Sequence, residues 1–166
     1  KISNQALVLE PLKKDHLKVS HYIIKVKSGD TGNVEAQAAQ AYWQTLFGND
    51  FRRNIDAPGS NALLNFGYAI LRSLTVRSII LSGLNPCLGF HHCNQYNYFA
   101  LADDLMEPLR PAVDREVYKI RNGHNSEELS VFDRHHLLKT SQVPVLYNQL
   151  NTQLGIGLQK YVSGVR

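Results

Sequence analysis

The stretch NALLNFGYAILRSLTVRSIIL, residues 61–81, decides the fold. Leu63, Leu64, Phe66, Tyr68, Ile70, Leu71, Leu74, Ile79 and Ile80 leave it apolar on most sides. A helix of that kind belongs at the centre of a fold. Asn65, Arg72 and Arg77 interrupt it, so it falls short of the roughly 20 apolar residues that cross a bilayer. Gly83, Pro86 and Gly89 end it in a tight loop that leads to His91-His92. Upstream, Leu17, Val19, Tyr22, Ile23 and Val26 recur at threes and fours and predict a helix over 15–26. Residues 28–33 break that pattern with turn and capping types. Asn33 or Thr31 is then expected to cap a further helix running through Ala36, Ala38, Ala39, Ala41, Tyr42 and Leu46, with Glu35 in its first turn. Downstream, a helix is predicted over 98–109, stopped by Pro111, and shorter ones over 112–121, 130–138 and 143–155. Only a weak alternation near Ile2–Val8 hints at a strand, in an opening that otherwise reads as helical. The expected class is all-α, a single multi-helix domain over 1–166.

Length and composition agree. The 166 residues suffice for one domain with a core, and 43% hydrophobic and 19% charged residues are those of a globular chain. A net charge of +4 permits a polyanionic partner without requiring one. Two cysteines, Cys87 and Cys93, make no disulfide framework. Without a secretory signal, the expected setting is reduced and cytoplasmic. The chain opens Lys1-Ile2-Ser3-Asn4 rather than on Met, which is expected of a piece of a longer protein.

Three places put acids or imidazoles where an apolar framework does not want them. Glu35 lies beside an alanine-rich helix surface, His91 and His92 follow a Gly-Phe turn, and Asp103, Asp104 and Glu107 cluster within residues 101–109. Asp103 and Asp104 each share a helix face with Glu107, and like charges there repel unless a cation neutralises them. A hard divalent ion is one neutraliser. Carboxylates suit Mg2+ or Mn2+, a single imidazole tilts the choice to Mn2+, and the open positions suit phosphodiester chemistry. Each feature also has an ordinary reading. A first-turn Glu caps a helix, a His after a turn hydrogen-bonds, and an acidic cluster faces solvent. The residues alone leave both readings open.

Other patterns are weaker. Cys87, His91, His92 and Cys93 are too cramped for the usual zinc pairs, and both cysteines read as small buried hydrophobes. His135-His136 reads as a surface pair. Basic residues gather at Arg52-Arg53, at Arg72 and Arg77, and at Arg110, Arg115, Lys119 and Arg121. Some of them can track a phosphate backbone or simply form a solvated face. Two rival readings are a non-catalytic helical DNA-binding module, which has no use for converging acids, and a di-metal bundle, which needs Glu-x-x-His repeats that are absent.

In order along the chain, four motifs resemble the CRISPR spacer-acquisition integrase family. They are GDTGNVEAQAA (29–39) followed by Tyr42-Trp43, NALLNFGYAILR (61–72), GLNP (83–86) with GFHH (89–92), and LADDLMEPLRP (101–111) with Val113-Asp114. Their details are similar to the type II branch that accompanies a Cas9 effector. The resemblance covers roughly 28–117 and implies a metal site of Glu35, His92 and Glu107, which would also be the catalytic residues. His92 is preferred over His91 from the family's motif. Glu107 closes the acidic motif, where many relatives carry Asp. Asp104, His91 and Asp103 are expected as supporting neighbours, and Arg52, Arg53, Arg72 and Arg110 as contacts to nucleic acid. The implied activity is Mg2+- or Mn2+-dependent endonuclease and integrase chemistry, in which a 3′-hydroxyl attacks a phosphodiester. The implied partners are double-stranded DNA (prespacer and CRISPR repeat), the small adaptation protein "Cas-two", a second copy in the full-length protein, and Cas9 with other type II adaptation proteins. No membrane is implied, and the setting is a prokaryotic cytoplasm. Relatives also carry an N-terminal β-rich domain that makes the dimer, which these residues do not include.

Overall fold

The weak alternation near the N-terminus resolves as helix. In the computed structural model, which describes residues 1–27, 29–30, 32–90, 96–123 and 128–165, Ile2–Leu9 form α1. Buried Ile2, Gln5, Ala6 and Leu9 follow the i, i+3, i+4, i+7 spacing of one helix face. The helix predicted over 15–26 shrinks to Leu17–Ser20, α2. Beyond it the chain runs in turns, with Tyr22, Ile23 and Lys25 each donating to the carbonyl three residues back. The Ser20 hydroxyl donates to the His16 carbonyl at 3.0 Å, a local bond that competes with helix continuation. Of the expected buried face, Val19 is fully buried while Leu17 is 68% exposed.

Helix α3 spans Val34–Phe47. Its cap differs from expectation. Asn33 stands at the cap position with φ 52 and no side-chain capping bond, and Thr31 lies outside the described residues. The Asp30 carboxylate caps instead, accepting from the Val34 and Glu35 amides at 2.8 and 3.0 Å. An anion there satisfies two of the free amides and meets the positive end of the helix dipole. Helices α1, α2 and α3 pack on one another within residues 1–57, one of two compact units in the chain.

The second unit, 58–166, is built on α4, Ser60–Leu81, in agreement with the reading of 61–81. Leu63, Leu64, Leu71 and Ile79 are fully buried, and α4 packs against the four helices that follow. At its end Gly83, with φ 73, lets the Gly83 amide reach the Ile80 carbonyl and the Leu84 amide reach Ile79, both at 3.0 Å. This left-handed reversal satisfies the last carbonyls and sends the chain back along the helix. Next come α5 (Ala100–Met106), a 3-10 turn (Glu107–Leu109) and α6 (Arg110–Gly123). Pro111 begins α6 rather than stopping its predecessor, since a proline in a first turn gives up only an amide without a helical partner. Gly67 lets α4 and α6 approach closely, because a Cβ there would overlap Val113 Cγ1.

Helix α7 covers Val131–Leu138, capped reciprocally by Ser130 and Asp133. The helix predicted over 143–155 is a correction. Residues Pro144–Tyr147 (β1) and Leu150–Gln153 (β2) pair antiparallel, Tyr147 opposite Leu150. The two loop residues, Asn148 and Gln149, both take positive φ (48 and 63), the conformation of a tight hairpin. Helix α8 follows at Leu154–Ser163. Its Leu158 and Val162 join Ile79, Leu101, Ala102 and Leu105 in one buried cluster. Among the described residues the fold is helical, with this hairpin as its only sheet. No described helix is long and apolar enough to cross a membrane.

Candidate active site

In the first unit, the Asp30 cap places Glu35 in the opening turn of α3. Its side chain is half exposed, with Lys1 Nζ 3.7 Å from Oε2. A contact that long and that wet is a weak ion pair. Arg52 is exposed in the loop after α3 and its guanidinium donates to the Asn49 and Phe51 carbonyls at 2.7 and 3.0 Å. Arg53 is half-buried in the same loop.

In the second unit, the acidic motif lies on α5 and the turn after it. Asp103 is buried, and its carboxylate is held from two sides. Arg72, from α4, brings Nε and Nη2 each to 2.7 Å of Oδ1, and the Asn97 side-chain amide donates to Oδ2 at 2.9 Å. The Arg72 guanidinium also lies 5.9 Å from the Phe99 ring centre. Asp104 is half-buried and its Oδ2 accepts from the Phe90 amide at 2.5 Å. Phe90 is the residue immediately before His91-His92. Two further bonds tie the same loop to the start of α5: the Leu101 amide donates to the Pro86 carbonyl at 2.9 Å, and the Cys87 thiol donates to the Tyr98 carbonyl at 3.2 Å. Cys87 is exposed, not the buried hydrophobe expected of it. Glu107 opens the 3-10 turn, half-buried, one helical turn beyond the two aspartates. Arg110 lies over Tyr68 at 5.2 Å, and the Tyr68 hydroxyl donates to buried Asp114 Oδ1 at 2.5 Å.

The structure thus gathers Arg72, Asp103 and Asp104 around Phe90 and Asn97. His91, His92 and Cys93 lie outside the described residues. Among the described residues, no three His, Cys, Asp or Glu side chains form a metal-binding group; the set that includes His92 is not one that these residues can make. Glu35 and Glu107 belong to different units. On donor chemistry, two carboxylates and an imidazole suit a hard divalent ion. Sequence reasoning missed Asn97, whose place between His92 and the acidic motif carried no signal of its own.

A second polar cluster occupies α6 and α7. Glu116, almost fully buried, accepts from Lys119 at 2.9 Å and Arg115 at 3.3 Å, with His136 Nε2 3.2 Å away. Burial opposes its ionisation. The bonds and charges of Lys119, the His136 bond and the Arg115 charge outweigh that and hold it below the usual carboxylate range. Arg115 also reaches the Pro144 carbonyl at 2.7 Å. Two members of the basic series on α6 are therefore engaged within the fold, and half-buried His136 is more than a surface residue.

Residues 1–140 match the family described as CRISPR associated protein Cas1. A CRISPR-associated endonuclease Cas1 of Neisseria meningitidis serogroup C (strain 8013) is 40% identical over 166 residues, covering 98% of this chain and 54% of the relative. Another from Pyrobaculum aerophilum is 40% identical over 96 residues, 56% of this chain and 32% of that one. The chain therefore spans about half, or less, of the length of these relatives. Two solved structures share the fold. A Cas1 protein from Thermotoga maritima has a TM-score of 0.77 at 18% identity, over 99% of this chain and 60% of that one. A casposase bound to integration product has a TM-score of 0.70 at 21% identity, over 99% and 58%. With four motifs in order and a family match over most of its length, the chain belongs to the Cas1 family.

Proposed function

We propose that this chain carries the catalytic residues of a DNA endonuclease and integrase that inserts new spacers into a CRISPR array. Family membership carries the reading, and the bond from the Phe90 amide, next to His91-His92 in the chain, to Asp104 on the acid-bearing helix α5 supports it. The casposase of like fold is bound to an integration product, which supports DNA as the substrate. Glu35, His92 and Glu107 would hold a Mg2+ or Mn2+ ion. When bound, such an ion polarises a phosphodiester and steadies developing negative charge.

The reaction is a transesterification. A 3′-hydroxyl of the captured DNA attacks a phosphodiester at the edge of the repeat. A new P–O bond forms and the bond to the neighbouring 3′-oxygen breaks; the attacking hydroxyl gives its proton to water and the leaving 3′-oxygen takes one from water, so that a new 3′-hydroxyl is released. Water as nucleophile gives endonuclease cleavage from the same arrangement. Asp104 fixes the backbone at Phe90, before the imidazoles. Exposed Arg52, with Arg53 and Arg110, supplies positive charge for the phosphate backbone without reading its sequence. The partners of the reading are duplex DNA, the small Cas-two protein, a second copy of the full-length protein, and Cas9 with its companion adaptation proteins.

In the intact protein, Glu35→Ala and His92→Ala are each expected to abolish strand transfer into a repeat while helical circular dichroism is retained. Integration at the normal rate by either folded variant removes the assignment. Specific manganese uptake that is weakened by Glu107→Ala separates this reading from a DNA-binding module without catalysis, which has no use for an ion.

A further inference from the structure

Asp103 and Asp104 stand side by side on α5, yet their carboxylates are committed to different partners. Asp104 takes the Phe90 amide at 2.5 Å. Asp103 takes the Asn97 side chain at 2.9 Å and the Arg72 guanidinium at 2.7 Å. Phe90 immediately precedes the segment 91–95, and Asn97 follows it after Tyr96. Two adjacent acids therefore hold both flanks of the histidine-bearing segment. Asn97 Oδ1 also accepts from the Phe99 amide at 3.0 Å, which folds the chain directly into α5. Asp103 is only 6% exposed, and a carboxylate that buried needs a charged partner. Arg72 supplies it from α4, the helix against which the others of the unit pack, and so ties the arrangement to the core.

We propose that Asp103 and Asp104, with Arg72 and Asn97, form a clamp that fixes Phe90 and Asn97, the two flanks of the histidine-bearing segment, to the stretch of α5 that leads to Glu107. The inference rests on the reading of Glu35, His92 and Glu107 as metal ligands. The clamp points lie three and four residues before Glu107 on one short, rigid stretch, about 4.5–6 Å along the helix axis. Holding Phe90 and Asn97 at those points references both flanks of the segment that carries His92 to the helix that leads to Glu107. Arg72 and Asn97 are positioning residues: neither supplies a ligand. Outer partners of this kind commonly govern metal affinity by 10- to 100-fold.

The test is manganese binding by the intact protein, measured by calorimetry for Arg72→Ala, Asn97→Ala, Arg72→Lys and Glu107→Ala, with helicity checked by circular dichroism. Arg72→Ala and Asn97→Ala are each expected to weaken Mn2+ binding about 10-fold or more, and Arg72→Lys, which keeps one charged donor, to recover part of the loss. Amide exchange at 90 and 96–99 in the metal-free protein is expected to quicken in the two alanine variants and not in Glu107→Ala. Wild-type binding that is weakened by Glu107→Ala but unchanged in Asn97→Ala overturns the clamp and leaves the metal reading standing. Wild-type protein that takes up no manganese overturns both. If Arg72→Ala does not fold, Asn97→Ala decides, since it leaves the Arg72–Asp103 ion pair in place and removes only the bonds to the Asp103 carboxylate and from the Phe99 amide.

Discussion

At the scale of single residues, the chain's charges sort by what they touch rather than by what they are. Arg72, Arg115 and Lys119 read in sequence as equivalent basic positions, yet each is bonded to a buried carboxylate. Glu116 shows the energetic consequence. Its proton affinity is lowered in the folded chain by Lys119, His136 and Arg115 against the effect of burial. Its ion therefore contributes stability at and above the ordinary carboxylate range, and that contribution is lost as pH falls through the lower folded value. Glu116→Gln is expected to cost about 1–2 kcal/mol near neutrality, with the gap between variant and wild type closing on acidification below about pH 4. Chemical denaturation across pH 3–7 checks this; a gap independent of pH means that Glu116 stabilises the fold by packing alone.

At the scale of elements, the crossing of α4 and α6 depends on Gly67. An alanine there gains roughly 1 kcal/mol of helix propensity but drives its methyl into Val113. Overpacking of that kind costs about 1–3 kcal/mol, so the net expectation is a lower melting temperature, partly restored by adding Val113→Ala. A melting temperature raised by Gly67→Ala alone would show that the two helices can separate freely. The hairpin at 144–153 makes the opposite point about local signals. Its apolar residues are compatible with a helix, but Asn148 and Gln149 reverse the chain in left-handed backbone. Arg115, 29 residues earlier, then holds the β1 end at Pro144. A window of a few residues contains neither the hydrogen-bonded partner strand nor the arginine.

At the scale of the molecule, the cluster of Ile79, Leu101, Ala102, Leu105, Leu158 and Val162 comes wholly from within 58–166. Residues 58–166 produced alone are therefore expected to keep helical circular dichroism and melt cooperatively; a featureless, non-cooperative trace counts against an independent core. The sequence alone determined the helical class and the placement of the long central helix, because an all-round apolar run over 61–81 has few other places to go. It also determined the family, because four motifs in fixed order are properties of the chain itself. Glu35, Glu107 and the acidic pair were legible as candidates for the same reason. Their partners were not. That Asp103 belongs to Arg72 and Asn97 and that Asp104 belongs to the Phe90 amide were decided only by tertiary structure. Periodicity and motif report what each residue prefers, whereas a buried charge or an unpaired amide is satisfied by whichever group the packing brings within 3 Å, and for Asp103 that group stands 31 residues away.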